Sequence, residues 1–221
     1  MDDQTAPVPR IDDIESAARL LDGVIRDLPL AGAHWLEQRV GGTVRLVTEN
    51  VQRAGSFKIR GAYNRIARLS DEERSRGVVA ASAGNHAQGV AVAAQLLGVH
   101  ATVFMPEGAT IPKVQATLGY GAEVRFHGTT IDQALEAATA FARETGAVLI
   151  HPFDHADVVA GQGTLGLEIV AKLPDVRTVV VCTGGGGLLA GVALAVKSVS
   201  PTVRAGGVQA ASAAAYPPSH E

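Results

Sequence analysis

Thr178-Val179-Val180-Val181-Cys182-Thr183-Gly184-Gly185-Gly186-Gly187-Leu188-Leu189-Ala190-Gly191-Val192-Ala193-Leu194-Ala195-Val196 is the longest run in the chain without an acidic, basic or histidine side chain. Its length raises the question of a membrane span, but four consecutive helix-weakening glycines in its middle argue against one. The run reads instead as strand, glycine loop and helix. A glycine loop at the start of a helix exposes successive backbone N–H groups toward the helix's positive end, which suits a phosphate. The pattern is neither G-x-G-x-x-G nor a Walker sequence, since no Lys-Ser or Lys-Thr follows, so dinucleotides and nucleoside triphosphates are not the indicated ligands. A tight turn alone would not need four glycines.

Working outward, strand-like runs recur at Val44 to Thr48, Val78 to Ala81, Ala101 to Phe104, Glu123 to Phe126, Val148 to Ile150 and Val203 to Val208, in addition to Thr178 to Val181. Helical stretches lie between them. Ser70 with Glu73 and Thr130 with Gln133 have capping-box spacing, the second ahead of Ala134 to Arg143, and His86 to Leu97 is an alanine-rich helix ending at Gly98. Ile11 to Arg26 has helical periodicity through Ile14, Ala17, Ala18, Leu21 and Ile25. Parallel strands need crossover connections, so alternation in this order predicts an α/β fold of parallel sheet with helices on both faces. No linker interrupts the middle, so two lobes in this chain would be interleaved. Ala210 to Glu221 lacks periodicity and is expected to fray.

Composition narrows the function. The chain has 221 residues, 47% hydrophobic and 19% charged, which is enough apolar content for a sizeable core. The net charge of −3 supplies no basic field for nucleic acid. One cysteine, Cys182, permits no internal disulfide, and Met1 to Arg10 does not resemble a signal peptide, so a reducing cytoplasm is the expected compartment. At the end of an apolar strand Cys182 is expected to be a buried small hydrophobe. Glycine is in excess, at 25 residues.

Two further segments carry chemistry. In Gln52-Arg53-Ala54-Gly55-Ser56-Phe57-Lys58-Ile59-Arg60-Gly61-Ala62 a lysine follows a glycine by three, where strand gives way to helix. It would project toward the carboxyl end of the sheet, where ligands bind in open α/β folds. Lys58 and Arg60, two apart, face different ways, one inward and the other solvated. On spacing alone a solvated first-turn lysine is the simpler reading. In Ser82-Ala83-Gly84-Asn85-His86, small residues precede a helix that Ser82 or Asn85 would cap and whose N-terminus attracts a carboxylate. His151, Asp154, His155 and Asp157 invite a metal site, but the intervening Pro152 keeps the two histidines off one helix face, and no metal is expected there.

Taken in order, these segments resemble the threonine dehydratase branch of the fold type II pyridoxal-phosphate enzymes, the tryptophan synthase beta-like fold. The resemblance rests on residues 52–62, Ser82-Ala83-Gly84-Asn85-His86-Ala87-Gln88-Gly89, Ala160-Gly161-Gln162-Gly163-Thr164 and Gly184-Gly185-Gly186-Gly187-Leu188, and extends from about Leu28 to Gln209. It implies two interleaved lobes, a large cofactor-binding lobe of residues 1–69 with 153–221 and a small substrate-loop lobe of residues 70–152. It implies that Lys58 carries pyridoxal 5'-phosphate as a Schiff base and takes the substrate's α-proton. Phe57 would pack near the ring, Asn85 would bond its phenolic oxygen, and Gly184, Gly185, Gly186, Gly187 and Leu188 would hold the phosphate. Ser82, Ala83, Gly84 and His86 would grip the substrate carboxylate. The implied reaction converts L-threonine to 2-oxobutanoate and ammonia, with L-serine as a second substrate, in threonine catabolism or isoleucine biosynthesis. Serine racemases of the fold have a second serine where this chain has Ala83, so elimination is preferred over racemisation. The implied partners are an amino-acid substrate and further copies of the chain, as dimer or tetramer, with no nucleic acid and no membrane.

The chain departs from the family pattern at Leu28-Pro29-Leu30, at Leu46-Val47-Thr48-Glu49 and after Gly206-Gly207-Val208, where Gln209-Ala210 follows. Gln209 and Ala215 stand where relatives place metal ligands and are not carboxylates, so no metal site is expected. Relatives continue further and place a serine or cysteine opposite the pyridine nitrogen; Ser212 and Ser219 are no clear substitutes. The large lobe is therefore expected to be incomplete. Two readings stay open, a dehydratase and a truncated, non-catalytic remnant that binds cofactor or associates with a full-length homologue.

Overall fold

The computed structural model describes residues 8–213. Ala215, Ser219 and most of the tail expected to fray lie outside the described residues; within it, Ala211–Ala213 form a short 3-10 turn. In chain order the elements are α1 (Ile11–Leu21), β1 (Leu30–Gly32), α2 (His34–Val40), β2 (Arg45–Val47), α3 (Lys58–Ala67), α4 (Asp71–Arg76), β3 (Val78–Ala81), α5 (Asn85–Leu97), β4 (Ala101–Met105), α6 (Ile111–Gly119), β5 (Glu123–Phe126), α7 (Ile131–Thr145), β6 (Val148–Leu149), α8 (Ala156–Lys172), β7 (Thr178–Cys182), α9 (Gly187–Val199) and β8 (Arg204–Val208).

Local chemistry accounts for many of these boundaries. Ser70 with Glu73 and Thr130 with Gln133 form full capping boxes at the starts of α4 and α7. Helix α5 ends at Gly98, whose left-handed backbone (φ 65°) closes the helix without steric cost. Helix α1 stops at Leu21, short of the expected Arg26, because the chain turns through Gly23 at φ 70°.

Four parallel strands form the larger sheet in the order β5-β4-β3-β6. Register pairs Val78 with Ala101 and Thr102 with Glu123. The period-2 pleat splits its residues between two helical layers. Val78, Ala80, Val103 and Met105 pack with Ile59 and Ile66 of α3 and Val90 of α5. Val79, Ala81 and Phe104 pack on the other face with Ala134 and Ala138 of α7. This is the expected α/β arrangement, with helices on both faces.

A second parallel pair joins β7 to β8, and its inward residues Val179 and Val181 pack with α8 and α9. Among the described residues helices cover only that face, contrary to expectation, and Val180 on the other is 65% exposed. A second correction concerns Val44 to Thr48. It contributes the three residues of β2, which pair antiparallel with β1 (Leu30 opposite Val47) rather than joining a parallel sheet.

Helix α8 is the central support, packed against α1, α3 and α9. Its glycines permit this. A Cβ at Gly161 would sit 2.5 Å from the Arg60 carbonyl of α3, and one at Gly191 of α9 would sit 2.3 Å from the Val159 carbonyl of α8. Much of the glycine excess thus serves close helix contact as well as loops. Among the described residues no helix is long and apolar enough to cross a membrane.

Candidate functional site

A cavity of about 370 Å³ opens where the first turns of α3 and α9 converge. Phe57 and Lys58 line it from α3, Pro152 and Phe153 from the segment after β6, Gln162 from α8, and Cys182 through Leu189 from the glycine loop; Val208 and Ala210 close it. The structure therefore brings Phe57, Lys58, Gly184, Gly185, Gly186, Gly187 and Leu188 together across about 130 residues of sequence.

Lys58 is the first residue of α3, and its Nζ donates to the Pro152 carbonyl at 2.5 Å. Burial brings its pKa down from 10.5 to about 8, since one carbonyl acceptor does not make up for the hydration an ammonium loses. Gly89 lets α5 press on this turn, because a Cβ there would lie 3.0 Å from Lys58. Lys58 is half-buried in the cavity wall, while Arg60 is the one that points inward, its side chain wholly buried. Its Nε and NH2 donate to both oxygens of Glu49 at 3.0 and 2.7 Å, its NH1 and NH2 to Glu168 at 2.5 and 3.0 Å, and NH1 also to Thr164 Oγ1 at 3.0 Å. Burial alone would lower its pKa, but the two carboxylates more than offset this and hold it well above its ordinary value. The cluster ties the lysine-bearing turn to α8.

The glycines of the loop have different tasks. Gly186 takes the left-handed backbone (φ 89°) that starts α9. A Cβ at Gly185 would lie 2.3 Å from the Phe153 ring, and one at Gly187 would lie 2.8 Å from the Phe153 carbonyl. Gly184 would meet nothing within 4 Å. Phe153 thus packs directly on the loop, and two of the four glycines exist to admit it. The N–H groups of the first α9 turn have no acceptor within the helix. Cys182 is exposed, not buried as expected, because it falls on the uncovered face of β7.

The second segment lies apart from this wall. Ser82, Ala83, Gly84, Asn85 and His86 occupy the end of β3 and the start of α5, and none lines the cavity. Neither Ser82 nor Asn85 caps α5; the N-cap is Gly84, whose N–H donates to Ser82 Oγ at 3.1 Å. Asn85 is exposed. The His86 ring is buried with Nε2 2.8 Å from the Ile150 carbonyl, and burial takes its pKa down to about 3, so the side chain is neutral and engaged in holding the strand that leads to Pro152.

His151 and His155 serve locally. His151 Nδ1 accepts from the Asp154 N–H at 2.7 Å, and His155 Nδ1 accepts from the Asp157 N–H at the start of α8. Among the described residues no group of three or more His, Cys, Asp or Glu is placed to hold a metal. Sequence reasoning missed Pro152, Phe153, Gln162 and Glu168. Gln162 stands in Ala160-Gly161-Gln162-Gly163-Thr164, one of the stretches on which the family resemblance rests, but no role is assigned to it there.

The donor set suits a molecule with an anionic end and an electrophilic carbonyl: helix-start amides on one wall and a lysine of lowered pKa on another. Residues 21–221 match the family described as pyridoxal-phosphate dependent enzyme. The chain is 54% identical over 199 residues to an L-threonine ammonia-lyase of Thermotoga maritima, covering 90% of this chain and 50% of that protein. Among solved structures, maize serine racemase superposes with a TM-score of 0.88 at 37% identity, over 92% of this chain and 61% of that one. Processed threonine deaminase isoform 2 of Solanum lycopersicum superposes at 0.84 with 38% identity, over 96% of this chain and 60% of that one. The chain thus spans half to three fifths of the length of these relatives. With the match running from residue 21 to residue 221 over a fold whose cavity joins a half-buried lysine to a glycine loop, the chain belongs to the pyridoxal-phosphate dependent enzymes.

Proposed function

We propose that this chain carries the cofactor site of an amino-acid lyase that converts L-threonine to 2-oxobutanoate and ammonia, with L-serine as a second substrate giving pyruvate and ammonia. The observation that carries the reading is Lys58, half-buried in the same cavity as the glycine loop and with its pKa brought down to about 8. When bound, pyridoxal phosphate supplies an aldehyde that takes up amines and a conjugated ring that accepts the electron pair left by the α-proton.

The rest falls to the protein. The amides of residues 184–188 would hold the phosphate, and Phe57, in the same cavity wall, would flank the ring. Burial leaves a substantial neutral fraction of Lys58 near neutral pH, so its amine can attack a carbonyl and later accept a proton at Nζ. Ser82, Ala83, Gly84 and His86, around the start of α5, would hold the substrate carboxylate from the side of the larger sheet. Asn85, exposed there, is available to bond the cofactor's phenolic oxygen. Ala83 has no hydroxyl to serve the opposite face of the α-carbon, which favours elimination over inversion. Residues 1–69 with 153–221 would form the cofactor lobe and residues 70–152 the lobe that closes on substrate, excluding water. The similarity to a named threonine ammonia-lyase at 54% identity supports the substrate class.

The test is release of 2-oxobutanoate from L-threonine by the 221-residue protein supplied with pyridoxal phosphate, beside Lys58→Ala. Release that depends on Lys58 is the expected result. Cofactor binding without release, at any substrate concentration, overturns the catalytic reading for this chain, and a folded protein that binds no pyridoxal phosphate overturns the site itself.

A further inference from the structure

Gln162 stands in the middle of α8 with its side chain 1% exposed, and its Oε1 is buried with no hydrogen-bond partner. A buried amide whose acceptor meets nothing destabilises the protein relative to an apolar side chain of similar size, and such groups are uncommon in folded proteins. The side chain is also held in place. Its Nε2 occupies the space that a Cβ at Gly61 would fill, 2.5 Å from that position. Gly61 lies one turn after Lys58, while the next residue of α8, Gly163, touches Gly191, one turn after the glycine loop. Gln162 thus sits between the first turns of α3 and α9, in the wall of the cavity that both helices open into.

We propose that Gln162 is a phosphate-end binding residue of this cavity, its side-chain amide completing the anion site begun by the backbone N–H groups of the glycine loop. The inference rests on the reading of the cavity as a pyridoxal-phosphate site. A carboxamide suits the position because it can bond an anion without adding charge beside Lys58. Rotation of 180° about its last torsion exchanges oxygen and NH2 within the same shape, so the end that faces no protein partner can present N–H to a phosphate. The same geometry explains why α8 tolerates a polar residue between Gly161 and Gly163: the group is satisfied by the ligand, not by the fold.

The test measures binding, not turnover. Pyridoxal phosphate and pyridoxal are titrated into cofactor-free wild type, Gln162→Leu and Gln162→Glu by absorbance, and the thermal midpoint of each cofactor-free protein is recorded. Loss of a hydrogen bond to a charged group should weaken pyridoxal phosphate by roughly ten-fold or more in Gln162→Leu. Pyridoxal affinity should change less than two-fold, and the midpoint of cofactor-free Gln162→Leu should not fall. Gln162→Glu, of nearly the same shape, should weaken pyridoxal phosphate further by like-charge repulsion. Equal weakening of both compounds, unchanged phosphate affinity, or a lowered midpoint in cofactor-free Gln162→Leu would overturn the assignment and make Gln162 structural. If Gln162→Leu does not fold, unweakened binding by Gln162→Glu is the overturning result. Failure of the wild type to bind pyridoxal phosphate would instead overturn the reading of the cavity.

Discussion

Lys58 should exchange its proton far below the range of an exposed lysine. Burial brings its pKa from 10.5 to about 8. At pH 8 about half of Lys58 is then neutral, against on the order of 0.3% for an unperturbed lysine, an advantage of more than a hundred-fold in available nucleophile. Competitive labelling with acetic anhydride, read peptide by peptide by mass spectrometry across pH 6.5 to 10.5, checks this because the midpoint of the rate profile is independent of how accessible the amine is. The Lys58 profile should turn near pH 8, while that of a reference lysine peptide should still be rising at pH 10.

The same shift has a stability consequence of defined sign. Between about pH 8 and 10.5 the unfolded chain holds the Lys58 proton and the folded chain does not, so folding becomes more favourable as pH rises through that window. Relative to Lys58→Met, wild type should gain about 1–2 kcal/mol across it, less than the full shift implies because Lys58 is only half-buried. A labelling midpoint above pH 10, or a stability difference that is flat with pH, would refute the claim that burial governs this amine.

Two other perturbations follow from the packing. Arg60→Leu leaves the Glu49 and Glu168 carboxylates facing each other without the guanidinium that bridges them. Stranding a buried charge in this way costs about 3–5 kcal/mol, which denaturant titration at pH 7 should show; a loss under ~1 kcal/mol would mean the cluster holds nothing together. Gly185→Ala drives a Cβ to within 2.3 Å of the Phe153 ring and should destabilise the loop by about 1–3 kcal/mol. Adding Phe153→Ala should recover most of that loss, and simple additivity of the two changes in a double-mutant cycle would count against the contact.

Much of the fold was readable from local pattern. Capping boxes at Ser70 and Thr130, glycine at 98 and the valine-rich strands each act through neighbours within a few residues, and all stand where expected. The misreadings have a common cause. Val44 to Thr48 has a strand's composition, but whether a strand pairs parallel or antiparallel depends on its partner, here Leu30–Gly32, which is too short to announce itself. Which of Lys58 and Arg60 points inward is not legible until α8 delivers Glu168, 108 residues later, to the Arg60 guanidinium. Cys182 was assigned by its apolar neighbours, yet burial in a strand alternates by residue and depends on which face is covered.

The candidate site divides the same way. A lysine three residues after a glycine, and four glycines between strand and helix, are visible as sequence because backbone constraints at a turn or helix start act on adjacent residues. That Phe153 rests on two of those glycines, that the Pro152 carbonyl accepts a hydrogen bond from Lys58 Nζ and that Gln162 Oε1 lies buried without a partner was decided only in three dimensions. Sequence by itself determined which segments are able to bind phosphate, carry an amine and begin a helix. Tertiary structure alone decided that the first two share one cavity while His86 is withdrawn into the core, because desolvation and hydrogen-bond satisfaction depend on what the rest of the chain brings within a few ångströms.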